Sequence, residues 1–179
     1  MTPNEILTFW FEEAGSGLWF QKSDAFDAQV RMQFEETVLS LATDAQDWIE
    51  TPEGSLALII ALDQFPRNIY RGTKAAFAFD DKALGYAQGM TDKGWDLKID
   101  QSRRAFVYMP FMHAENISAQ NESVRLMDMR LNNDNNLYHA KEHRKVIERF
   151  GRFPHRNEIL GRKSTAEETA FLESGGYAP

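Results

Sequence analysis

Two stretches of this sequence carry residues suited to binding an anion. Residues 65–73 read FPRNIYRGT and residues 153–162 read FPHRNEILGR. Each places Phe-Pro before Arg-Asn, with a second Arg beside a Gly a few residues on. A guanidinium fork grips a carboxylate or phosphate with two parallel N–H donors, and an adjacent Asn amide adds a donor and an acceptor. Arg67, Asn68, Arg71, Arg156, Asn157 and Arg162 are therefore candidate ligand-binding residues. Asp63 joins them. Leu56, Ile59, Ile60 and Asp63 share one helical stripe, which expects this carboxylate at the buried C-terminal end of a helix. The helix dipole disfavours a negative charge there, and burial demands a cationic partner. Asp63 then either forms a structural ion pair with Arg67 or Arg71, or aims an arginine at a ligand.

Three residues are candidates for moving a proton. His113 and Glu115 follow Pro110 in YMPFMHAE, and a kinked helix there points both into a cavity; the alternative is an exposed helix start. His155 lies among arginines, which favours its neutral form and suits it to accept a proton near pH 7; the alternative is a hydrogen-bonded structural imidazole. No Ser or Cys nucleophile is marked, so acid–base work by His113 or His155 with Glu115 is the most economical chemistry.

His139, Glu142 and His143 spell H-x-x-E-H. Two imidazoles one turn apart can hold a zinc while the Glu activates water. His143 also lies on an apolar stripe with Ala140, Ile147 and Phe150, and no third ligand is marked. A metal-dependent hydrolase stays a subordinate alternative, and no metal is assigned. There is no P-loop, no G-x-G-x-x-G and no G-x-S-x-G, so no cofactor is assigned either.

The elements that must hold these groups read as helices throughout. Thr2-Pro3-Asn4-Glu5 has the signature of a helix start. Phe26, Val30, Phe34, Val38 and Leu41 make a stripe on a second helix begun by Ser23. A third starts at Thr51-Pro52, is apolar on every side from Leu56 to Leu62, and is expected to end before Pro66. A fourth runs from Lys74 or Asp80 to Lys93 and stops at Gly94. A fifth covers about residues 101–109, where Pro110 kinks or ends it. A sixth spans about 119–130. Asn132 to Asn136 break the chain before a seventh at about 136–151. Thr165 with Glu168 forms a capping box for the last helix, ending at Gly175-Gly176. No segment alternates as a strand does, so no sheet is expected. Short connectors favour antiparallel helix pairs in a single domain over residues 1–179.

The composition bounds the function. No apolar run approaches the ~18 residues of a membrane span, and mean hydropathy is −0.51. The N-terminus is acidic, without the basic start of a secretory signal, and there are no cysteines. A cytoplasmic protein without a membrane partner is expected. The net charge is −7, but residues 1–63 hold only Lys22 and Arg31 against twelve acids, whereas residues 141–163 hold eight cations against three acids. The basic segment either pairs with the acidic one or keeps a positive pocket for an anion. The acidic total argues against nucleic acid as a partner.

LDQFPRNIYRGT (62–73), AFAFDDKAL (76–84), YMPFMHAE (108–115) and HRKVIERFGRFPHRNEILGRKSTAEE (143–168), in that order, resemble the bacterial "domain of unknown function 924" family over nearly the whole chain. The resemblance implies an all-helical, tetratricopeptide-like fold and supplies no activity, substrate or cofactor. Where the family commonly has Ser, residue 114 is Ala, so no hydroxyl nucleophile stands there. The expectation is an all-α protein of about seven to nine helices with an Arg/His/Asn-lined pocket for a phosphate- or carboxylate-bearing small molecule. The alternative is a tetratricopeptide-like scaffold for an acidic or C-terminal peptide. Nothing in the residues bears on oligomeric state.

Overall fold

The computed structural model describes residues 1–178, and all of its regular elements are helical. The α-helical segments are α1 (Pro3–Thr8), α2 (Asp24–Thr43), α3 (Pro52–Ile59), α4 (Phe65–Ile69), α5 (Asp80–Asp92), α6 (Gln101–His113), α7 (Ile117–Arg130), α8 (Asp134–Phe150) and α9 (Ala166–Glu173). Side chains fix most starts. The hydroxyls of Thr2, Ser23, Thr51 and Thr165 accept first-turn amides, as do Asp100, Asn116 and Asn133. Both expected capping boxes, Thr2/Glu5 and Thr165/Glu168, are present. From α5 to α8 each helix packs on the next, and α2 packs on α4. One core joins α1 to α8 around Trp10, Phe65, Phe106 and the wholly buried Leu56–Leu62 run. A small second cluster, Val146, Ile147 and Phe153, is covered by Phe150, Phe171 and Tyr177.

Two prolines leave their helices unbroken. The third helix does not end before Pro66. A π turn at Ile60–Gln64 follows α3, and α4 continues the rod to Ile69. Pro66 thus falls in the first turn of a new α register, where its missing N–H leaves no bond unmade. Nor does Pro110 end α6, which runs on to His113. Residues 105–112 are all buried, so packing holds the helix through the missing bond. Gln120 Nε2 then caps its end, donating to the carbonyls of Met112 (2.6 Å) and Ala114 (2.8 Å).

Smaller boundaries also move. Lys74–Phe77 is a 3-10 turn, so the fourth expected helix starts at Asp80. Asn133, within the expected polar break, caps α8, which starts at Asp134 rather than about 136. Gly151 ends α8 at φ 69°, a left-handed conformation that favours glycine, and so turns the chain into the 3-10 turn Pro154–Arg156.

Candidate functional site

The π turn places Asp63 in the middle of the rod with its side chain 0% exposed. A π turn widens the backbone locally and recurs at functional sites. Gln64 Nε2 donates to Oδ2 at 2.6 Å, and His113 Nδ1 lies 2.8 Å from Oδ1. Arg67 Nη1 is 3.4 Å from Oδ1 and also donates to the Asp63 carbonyl. Burial alone would raise the Asp63 pKa, but the charge of Arg67 and the contacts with His113 and Gln64 hold it well below the usual carboxylate range. Asp63 is therefore ionised at neutral pH and has only lone pairs to offer. The proton between it and His113 sits on Nδ1. Burial lowers the pKa of His113 and outweighs the pull of Asp63, so the ring is neutral at pH 7 with its Nε2 lone pair free.

Arg67 reaches on to Asp80 at the start of α5, gripping it with two bonds of 3.0 Å. Its own pKa is raised by Asp63 and Asp80 against the cost of burial, yet Asp80 is also raised, by burial and by the charge of Asp63. Both directions hold, because one guanidinium serves the buried Asp63 and the half-buried Asp80, and Asp80 is the less fully compensated. Arg156 approaches from the other stretch, with Nη1 3.6 Å from Asp80 Oδ2 and donating to the His113 carbonyl at 3.1 Å. Its guanidinium stacks over Phe153 at 4.5 Å and Phe77 at 4.6 Å, and Arg67 lies 5.8 Å from the same Phe77 ring. The Arg-Asn pairs thus bring one arginine each to Asp80.

Their other members do not meet. Asn68 and Arg71 turn to Asp27 on α2, Asn68 at 2.8 Å and Arg71 at 2.5 and 2.8 Å. Asn157 donates to Ser164 and Glu168 and accepts from Arg162 Nε at 2.9 Å. Arg162 grips Glu115 at 2.5 and 2.9 Å, and Glu115 Oε1 accepts the Phe153 amide at 2.7 Å. Burial would raise Glu115, but Arg162 and that amide pull it below its ordinary value. Glu115 is therefore a brace joining the end of α6 to the segment that carries Arg156. Arg152 in turn clamps Glu168 at 2.6 and 2.8 Å.

Three imidazoles border the cluster. His143 is 6.4 Å from His113 and 5.5 Å from Phe153, ring centre to ring centre, and burial together with His113 pushes its pKa down to about 3. His155 is pushed down to about 4 by burial and then by Arg156, and its Nδ1 is buried without a hydrogen bond. His139 and His143 both meet the Tyr177 hydroxyl rather than an open metal position. His143 Nδ1 donates to the His139 carbonyl at 2.8 Å and lies 3.2 Å from Tyr177 Oη, which is itself 2.8 Å from His139 Nδ1. Glu142 pairs with Lys145 at 2.6 Å. Among the described residues no three His, Asp or Glu side chains gather so as to hold a metal ion.

Sequence reasoning did not single out Asp80, Gln64 or Phe77. Asp80-Asp81 looks like the acidic first turn of any helix. Only burial between two arginines distinguishes Asp80.

The chain resembles other proteins along nearly its whole length. It matches the family described as "Bacterial protein of unknown function (DUF924)" over residues 6–176. A solved structure of a protein of unknown function from Agrobacterium tumefaciens is 42% identical and superposes with a TM-score of 0.91 over 97% of each chain. Comparison with curated proteins gives no match. The match over residues 6–176 places this protein in the DUF924 family.

Proposed function

We propose that this protein binds an anionic small molecule, carrying a carboxylate or phosphate, at Arg156, and that His113 exchanges a proton with it. The observation that carries the reading is Arg156 itself. It is 6% exposed, yet among the described residues the only hydrogen bond of its guanidinium is the one to the His113 carbonyl, and Asp80 beside it is already gripped by Arg67. Burial and the neighbouring Arg67 lower its pKa to about 10. A buried guanidinium with unmet donors calls for a partner from outside the chain. His113 supplies the chemistry: a buried carboxylate fixes its tautomer, and a free Nε2 can accept or return a proton. Perturbed groups clustered in this way are characteristic of functional sites. Arg67, Asp80 and Glu115 with Arg162 then act as positioning residues.

The test is a thermal-shift panel of inorganic phosphate and short carboxylates on wild type, Arg156→Lys and His113→Asn. A ligand at a hundredfold excess over Kd contributes about 2.7 kcal/mol, or about 5–11 °C in a chain of this size. The expected result is such a rise in wild type, lost in Arg156→Lys and kept in part in His113→Asn. No rise with any anion would overturn the proposal.

A further inference from the structure

The guanidinium of Arg156 has two edges, and the described residues use only one. Nη1 donates to the His113 carbonyl and approaches Asp80. Nε is buried without a partner, and Nη2 donates to no described residue. The Nε–Nη2 edge presents two parallel N–H groups spaced to match the two oxygens of a carboxylate. This chain uses that edge in the same way elsewhere. Arg71 grips Asp27 with Nε and Nη2 at 2.5 and 2.8 Å, Arg125 grips Glu122 at 2.7 and 2.5 Å, and Arg152 grips Glu168 at 2.6 and 2.8 Å. At Arg156 the same edge has no carboxylate from the described residues.

We infer that the Nε–Nη2 edge of Arg156 binds the carboxylate of a singly charged organic acid in preference to a phosphate. The inference rests on the anion-binding reading above and narrows it. The ring centres of Phe77 and Phe153 lie 4.6 and 4.5 Å from the guanidinium carbon, and the flat edge of the group suits planar, in-plane bidentate capture. The charge balance selects a single negative charge. Asp63 and Asp80 already balance Arg67 and Arg156, and burial keeps His113 and His143 neutral. A carboxylate adds one negative charge to this group. A phosphate near pH 7 adds up to two, beside the carboxylates of Asp63 and Asp80, at greater desolvation and repulsion cost. The carboxylate belongs either to a free small acid or to the C-terminus of a peptide.

The experiment follows the Arg156 Nε–H resonance of the whole protein by 15N NMR, assigned by its disappearance in Arg156→Lys, during titration with four probes. These are acetate, an N-acetylated dipeptide with a free carboxylate, the same dipeptide as its amide, and inorganic phosphate. The expected result is a saturable downfield shift with acetate, at least tenfold weaker binding of phosphate and no response to the amide. A response to the free dipeptide matching acetate assigns the carboxylate to a peptide end, and a response to acetate alone assigns it to a small acid. If phosphate moves the resonance as strongly as acetate or more, the carboxylate inference fails while the anion site stands. If no probe moves it, both fail. Should Arg156→Lys not fold, calorimetric titration of wild type with acetate and phosphate reads the same preference.

Discussion

Replacing Asp63 with Asn removes the charge on which the buried cluster is built. Asp63 is wholly buried, and its carboxylate meets Gln64, His113 and Arg67 at 2.6, 2.8 and 3.4 Å. Deleting one partner of a buried ion pair costs about 3–5 kcal/mol. Arg67 keeps two bonds of 3.0 Å to Asp80, so the low end, about 3 kcal/mol, applies. In a chain of this size that lowers Tm by about 6–12 °C. Urea unfolding of wild type and Asp63→Asn reads the difference at several pH values. The folded-state pKa of Asp63 is depressed, so its stabilisation is complete above the unfolded value near 3.8 and is lost as pH falls toward the folded one. The gap between the two proteins should be constant from pH 7 to about 5 and narrow below about 4. A loss under about 1 kcal/mol at pH 7, or a gap that closes between pH 7 and 5, would refute the reasoning.

Other outcomes follow from the same contacts. His143 and His155 have folded pKa values pushed down to about 3 and about 4, so the unfolded chain takes up protons first. Stability should fall as pH drops below about 6.5, by about 1.4 kcal/mol per pH unit for each histidine, and His143→Gln should make the slope shallower in urea titrations. Glu115→Gln weakens the brace on Arg162 and the Phe153 amide, and should cost about 1–2 kcal/mol. Its signature in hydrogen exchange is lost protection at Phe153, with α2 unchanged. Gly151→Ala has open space for its Cβ but a left-handed φ, so calorimetry should show a loss of about 1 kcal/mol from backbone strain alone.

Much of this structure is legible in the sequence, because caps and stripes are local signals. Thr2, Ser23, Thr51 and Thr165 start helices as their spacing to the following apolar residues indicates. The prolines mislead because their effect depends on register: Pro66 is harmless only after a π turn, and Pro110 only inside a fully buried helix. In the site, Asp63, Arg67, His113 and Arg156 come together as their motifs suggest. Asn68 and Arg71 share the motif yet serve Asp27, because Asn68 points a step round the helix from Arg67 and Arg71 lies beyond its end at Ile69. The acidic first third does pair with cations, but in part through Asp63 and Asp27 at residues 67 and 71 rather than with the late basic segment. Arg162, Arg149 and Arg152 of that segment pair instead with Glu115, Glu167 and Glu168. Such long-range partnerships leave no periodic trace.

The tautomer and pKa of His113, measured by 15N NMR without and with saturating acetate, test the central claim most directly. The account predicts a neutral ring protonated at Nδ1 with a pKa below 6.5, rising when the anion binds beside it. A ring protonated at Nε2, or a pKa that does not respond to acetate, would contradict it.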